Sequence, residues 1–207
     1  MEKFVIEANS FLKQDVEGYY HTLYKSMNNP ESQTLHINYL KNDNNQFTLE
    51  SEILKQATEK LYQNLKGDLA QILREQSLPL YICVVPRAKP ENDYKPSQLL
   101  FKETIRTFVK ESEYRLNNGV DYIKRTVRTM TTHLNHFPFL GYSELPSPYI
   151  GISKDTCSFS PEIREKNILL IDDLYTYSIN IDEDMIQALY DNGANKVIFY
   201  SIGYLKY

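Results

Sequence analysis

The chain has 207 residues, of which 42% are hydrophobic and 24% charged, enough for one domain with a real core and marginal for two. No run of about 18 apolar residues occurs, and the opening MEKFVIEANSFLKQD carries acids without a signal-like apolar stretch, so neither a membrane-spanning helix nor secretion is expected. A net charge of −4 argues against a whole-surface polyanion binder, so direct nucleic-acid binding is not indicated. Two cysteines, Cys83 and Cys157, are too few for a disulfide framework or a structural zinc site. Cys83 lies in the apolar run LYICVV and is expected in the core, where burial keeps a thiol protonated. A reducing, cytoplasmic setting fits.

The first third reads as helical. Phe4 to Ser26 has broken helical spacing and many tyrosines, and Thr34 to Tyr39 alternates enough for a short strand. Asn42 to Gln46 is a polar loop. Thr48 is placed to cap a long helix, with Glu50 and Glu52 favourable in its first turn. Along it Leu54, Ala57, Leu61, Leu65, Leu69 and Ile72 form one apolar stripe. Residues 1–78 are therefore expected to be a helical region that packs on, or forms a hood over, a core made by residues 79–207, within one compact domain.

The remaining two-thirds changes character. Leu80 to Val85 is an apolar run ended by Pro86, which suits a strand buried on both faces. Ser97 to Arg115 reads as a helix, Ile168 to Ile171 as a second buried strand and Val197 to Ile202 as a third. Between the last two, Asp182 to Asn192 reads as a helix with Gly193 just past its end. This alternation predicts an α/β fold, a twisted parallel sheet flanked by helices. Right-handed crossovers then gather the strand ends on one edge, where ligands collect.

The chemistry concentrates at NILLIDDLYTYSIN. A buried strand is expected to deliver Asp172 and Asp173 at its carboxyl end, and a polar loop from Tyr175 to Asn180 runs from there into a helix. Loop amides and a helix N-terminus suit a phosphate, whereas the acid pair suits vicinal hydroxyls or a hydrated metal. A sugar phosphate offers both features.

The segment Ile168-Leu-Leu-Ile-Asp172-Asp173-Leu-Tyr-Thr176 resembles the signature of the type I phosphoribosyltransferases: four hydrophobic residues, two acids, then a Thr/Gly-rich loop opening a helix. The tail ALYDNGANKVIFYSIG is similar to that family's continuation into the next strand. Val84-Val85-Pro86, Asp121 to Arg125 and Thr131 to Leu134 are most like the amidophosphoribosyltransferase and competence-protein (ComF-like) branch. The resemblance covers about residues 80 to 203. It implies that Asp172 and Asp173 hold the ribose 2′- and 3′-hydroxyls and stabilise the cationic sugar formed as pyrophosphate leaves. It implies a 5′-phosphate cradle at Thr176, Tyr177, Ser178 and Asn180, and a pyrophosphate loop at Pro86, Arg87, Ala88 and Lys89. A mobile loop is expected near Arg125, Thr132 and His133. Magnesium would be carried by pyrophosphate and ribose oxygens, with no direct protein ligand.

The loop departs from the family's usual Thr-Thr-Gly-x-Thr. Thr176 is kept, Tyr177 replaces a small hydroxyl residue, Ser178 replaces glycine and Asn180 replaces threonine. Nor does the chain carry an N-terminal nucleophile for glutamine hydrolysis, since residue 2 is Glu2. Two readings stay open. One is a phosphoribosyltransferase-like protein that binds phosphoribosyl diphosphate (PRPP) or a related ribose phosphate and transfers the phosphoribosyl group. The other is a non-catalytic nucleotide sensor or interaction subunit on the same fold, with a protein partner or a second copy of itself, as in DNA-processing or phage-defence systems.

Overall fold

The computed structural model describes residues 1–25, 29, 31–41, 51–76, 78–112, 116–129, 152–177 and 179–206. Its elements are β1 (Glu2–Ile6), β2 (Val16–Leu23), α1 (Leu35–Lys41), α2 (Glu52–Glu75), β3 (Leu80–Val84), α3 (Leu100–Glu111), β4 (Leu116–Asn118), β5 (Ile123–Arg125), α4 (Ile152–Thr156), β6 (Cys157–Phe159), β7 (Asn167–Thr176), α5 (Ile181–Asp191) and β8 (Lys196–Leu205). Six strands form one sheet in the order β1-β2-β8-β7-β3-β4, and β5 with β6 makes a separate ribbon. Within the large sheet only β1 runs antiparallel to its neighbour.

The three apolar runs behave as their composition requires. β7 lies between β3 and β8, parallel to both. Leu169 and Ile171 face a core that includes Leu61, Leu65 and Phe108 of α2 and α3, whereas Ile168 and Leu170 face Met185, Ile186 and Leu189 of α5. A strand whose alternate residues enter two different cores must be apolar at successive positions, which is why it reads as an unbroken run. The stripe on α2 is buried from Leu54 to Ile72, and Gly193 ends the α5 turn at a φ of 90°, a conformation that glycine adopts without steric cost.

The N-terminal region is not wholly helical. Phe4 to Ile6 belongs to β1 and Val16 to Leu23 to β2. Between them Asn9 Oδ1 accepts from the amides of Phe11 and Leu12, and Asp15 Oδ1 accepts from the amide of Ala8. These side-chain turns compete with helix and reverse the chain. β2 then inserts beside β8, so the beginning of the chain extends the sheet. Conversely Thr34 to Tyr39, expected as a strand, enters α1, where Ile37 and Leu40 are buried one turn apart. Thr48 and Glu50 lie outside the described residues; α2 begins at Glu52 after Ser51. The helix expected from Ser97 begins at Leu100, because Pro96 to Gln98 form a 3₁₀ turn.

One polar network fastens α2 to the sheet. Tyr200 of β8 is fully buried and donates to Asp68 Oδ2 at 2.8 Å, and His21 Nδ1 of β2 meets the same oxygen at 2.8 Å. Tyr200→Phe removes the buried hydroxyl and leaves Asp68 with His21. It should cost about 1–2 kcal/mol, seen as a lower urea midpoint at unchanged slope.

Candidate functional site

β3 stops where the acids begin. Val84 is level with Ile171, and the Val85 amide donates to the Ile171 carbonyl at 2.9 Å. Pro86 therefore leaves the sheet beside Asp172, on the same edge. β7 nevertheless continues against β8 as far as Thr176. Asp172 and Asp173 thus sit inside the strand rather than at its end, and the connection to α5 is shorter than the expected Tyr175 to Asn180 loop. Tyr175 and Thr176 are buried strand residues. The Tyr175 hydroxyl donates to Glu183 Oε1 at 2.7 Å.

The two acids have different partners. Asp173 Oδ1 lies 3.0 Å from Lys41 Nζ, delivered by the last residue of α1. Asp172 accepts the Asp173 amide at 2.7 Å and shares a side-chain hydrogen bond with Asp182 in the first turn of α5. Burial and the neighbouring Asp173 charge push Asp172 up to about 7, against the pull of Lys41. Burial, then the charges of Asp172 and Glu183, hold Asp182 well above the carboxylate range. The arrangement is a carboxyl–carboxylate pair in which Asp182 keeps the proton and donates it to Asp172. Asp182 Oδ1 and Ser201 Oγ are buried without hydrogen-bond partners among the described residues, and Ser201 stands opposite Asp172 in β8.

The α5 N-terminus is already acidic. Asp182, Glu183 and Asp184 occupy its first turn, the first two buried. Those other than the protonated Asp182 complement the helix dipole, the job a bound phosphate would otherwise do. Asn180 precedes the helix at a φ of 55° with no capping bond of its own. Its side-chain oxygen accepts from Asn9 Nδ2 at 2.9 Å. Tyr177 is 59% exposed and turned outward. Ser178 lies outside the described residues.

The loop from Pro86 to Lys89 is firmly held. Arg87 donates to the carbonyls of Gln98 and Lys41, and its guanidinium lies 4.6 Å from the centroid of the Tyr94 ring. Lys89 Nζ lies 5.5 Å from that centroid, and the Lys89 amide donates to the Tyr94 hydroxyl. The Ala88 carbonyl accepts from the amide and hydroxyl of Thr129. Arg125, expected near a mobile loop, is buried in β5. It donates to the Arg87 carbonyl and to the Thr156 hydroxyl, which makes it a support for the 86–89 loop. Thr132 and His133 lie outside the described residues.

Asp172, Asp173, Arg87 and the 86–89 loop therefore meet at one edge. Lys41 and Asp182 join them, and neither stands out in the sequence: Lys41 lies at the end of a segment that looks like a strand, and Asp182 looks like an ordinary first-turn acid. Magnesium carried by a ligand would face Asp172 and Asp173. As they stand, these do not fit it, because Asp173 is paired with an ammonium and Asp172 with a carboxyl group. No protein-family model matches the chain, and no curated protein matches it.

Proposed function

We propose that the chain is a phosphoribosyltransferase-like protein that binds PRPP or a related ribose phosphate, and that it binds more readily than it turns over. The observation that carries this reading is the convergence at the carboxyl edge of β3 and β7. There the Asp172–Asp173 step lies beside the Pro86 to Lys89 loop, and the Thr176 to Asn180 connection leads from the same strand into α5. Ribose hydroxyls are donors and suit the carboxylate oxygens. Arg87 and Lys89 suit a diphosphate.

Slow turnover follows from the phosphate end. Loss of pyrophosphate requires the sugar to be held at its phosphate, its hydroxyls and its leaving group together. Misplacement by about an ångström costs roughly a hundredfold in rate. Here the connection carries an outward Tyr177 and an α5 first turn filled by its own acids. The same observation favours the second reading, a non-catalytic sensor or interaction subunit that uses the bound ribose phosphate as a signal.

Calorimetry with PRPP, ribose 5-phosphate and pyrophosphate, each with and without magnesium, tests the proposal. PRPP and ribose 5-phosphate should bind with micromolar to millimolar affinity, and incubation with nucleobases or ammonia should release little pyrophosphate. Silence of all three ligands at millimolar concentration would remove the ribose-phosphate reading.

A further inference from the structure

Lys41 enters the site twice. Its ammonium lies 3.0 Å from Asp173 Oδ1, and its backbone carbonyl accepts Arg87 Nη2 at 2.6 Å. One residue of the N-terminal region thus touches both the acid step and the 86–89 loop. The Lys41 side chain keeps 27% of its surface exposed and that of Asp173 21%, so the pair is sheltered but still within reach of a ligand. Burial opposes the charge on Lys41, yet Asp173 and Asp172 outweigh it and hold the ammonium above the ordinary lysine value.

The geometry points to Lys41 as the built-in cation of this site, standing on Asp173 where a divalent ion would otherwise bind, so that ribose-phosphate binding there needs no magnesium. A magnesium ion needs carboxylate oxygens at about 2.1 Å and gives up its waters reluctantly. An ammonium carries its positive charge and three donors in a fixed place, already pairs with the acid and repels a second cation. The adjacent acid offers no alternative, because Asp172 is committed to Asp182. The ligand half of this inference rests on the ribose-phosphate reading. The cation half concerns Lys41 and Asp173 alone.

Two measurements on the full chain separate the halves. The first follows the free Mn2+ signal by electron paramagnetic resonance as protein is added. Wild type should show no site tighter than millimolar. Lys41→Met and Lys41→Gln, checked for folding by circular dichroism, should each gain a site at least tenfold tighter. Lys41→Arg should not, and adding Asp173→Asn to Lys41→Met should abolish the gain. The second is calorimetry with ribose 5-phosphate in EDTA and in millimolar magnesium. Wild-type affinity should agree within twofold, whereas Lys41→Met should be at least tenfold weaker in EDTA and recover in magnesium.

Mn2+ binding by Lys41→Met and Lys41→Gln no tighter than wild type, or a wild-type Mn2+ site lost in Asp173→Asn, overturns the cation role of Lys41. A wild-type ribose 5-phosphate affinity that rises tenfold with magnesium overturns metal independence. No ribose 5-phosphate binding under any condition refutes the ribose-phosphate reading itself, and the Mn2+ comparison still decides the role of Lys41.

Discussion

At pH 8, Asp182→Asn should be more stable than the wild-type protein by about 1–3 kcal/mol, the scale of one or two units of displaced ionisation. The cause is the buried pair. Asp172 is raised to about 7 and Asp182 well above its ordinary value, whereas in the unfolded chain both titrate near the usual carboxyl value of about 4. Between those limits the native state binds more protons than the unfolded state, so these acids make stability fall as pH rises above about 4, the Asp172 share through about 7. Below that window both states are protonated and nothing is lost. Asparagine keeps the size, donates to Asp172 as the protonated acid does and has no charge to desolvate. The gain should therefore shrink toward pH 5.

His36 works in the opposite sense. Burial, then the nearby charge of His21, pushes it down to about 4, below the usual imidazole value of about 6.5. Its contribution is present above about 6.5 and is lost as pH falls through 4. The wild-type profile is thus a sum of opposed slopes, and Asp182→Asn should remove the Asp182 share of the falling slope while leaving those of Asp172 and His36. Urea midpoints at several pH values measure both effects. An Asp182→Asn protein less stable than wild type at pH 8 would mean that Asp182 is ionised and paired there, contrary to the shared proton.

Asp173→Asn should cost about 1–3 kcal/mol of stability and weaken ribose 5-phosphate binding about tenfold or more, the scale for losing a charged hydrogen-bond partner. Removing one member of a fully buried ion pair costs about 3–5 kcal/mol. The lower figure applies here because both side chains keep some exposure. The amide leaves Lys41 facing Asp172 alone, so much of the cost belongs to the stranded ammonium. Lys41→Met combined with Asp173→Asn should recover at least half of it, with a coupling of about 1–2 kcal/mol in the double-mutant cycle. Additive effects of the two substitutions would show that the Lys41–Asp173 contact carries no energy.

The sequence alone determined the centre of this protein. β3, β7 and β8 are legible because a strand buried on both faces is apolar at nearly every position, as Leu80 to Val84, Ile168 to Ile171 and, Ser201 apart, Val197 to Ile202 are. The α2 stripe and Gly193 are legible because a helix period and a helix stop are local signals. β1 and β2 were not, since half-buried strands of mixed polarity gain their identity from the neighbour they pair with: β1 depends on β2, and β2 on β8 at the other end of the chain. α1 misled for the same reason: a single short segment alternates well enough to be a strand until Ile37 and Leu40 are given a core to enter. At the site, the adjacent acids and their edge of the sheet were visible in the sequence. Their state was not, because charge in a protein is decided by what lies within a few ångströms. Only the tertiary structure brings Lys41 to Asp173 and Asp182 to Asp172, turning two like carboxylates into one ion pair and one shared proton.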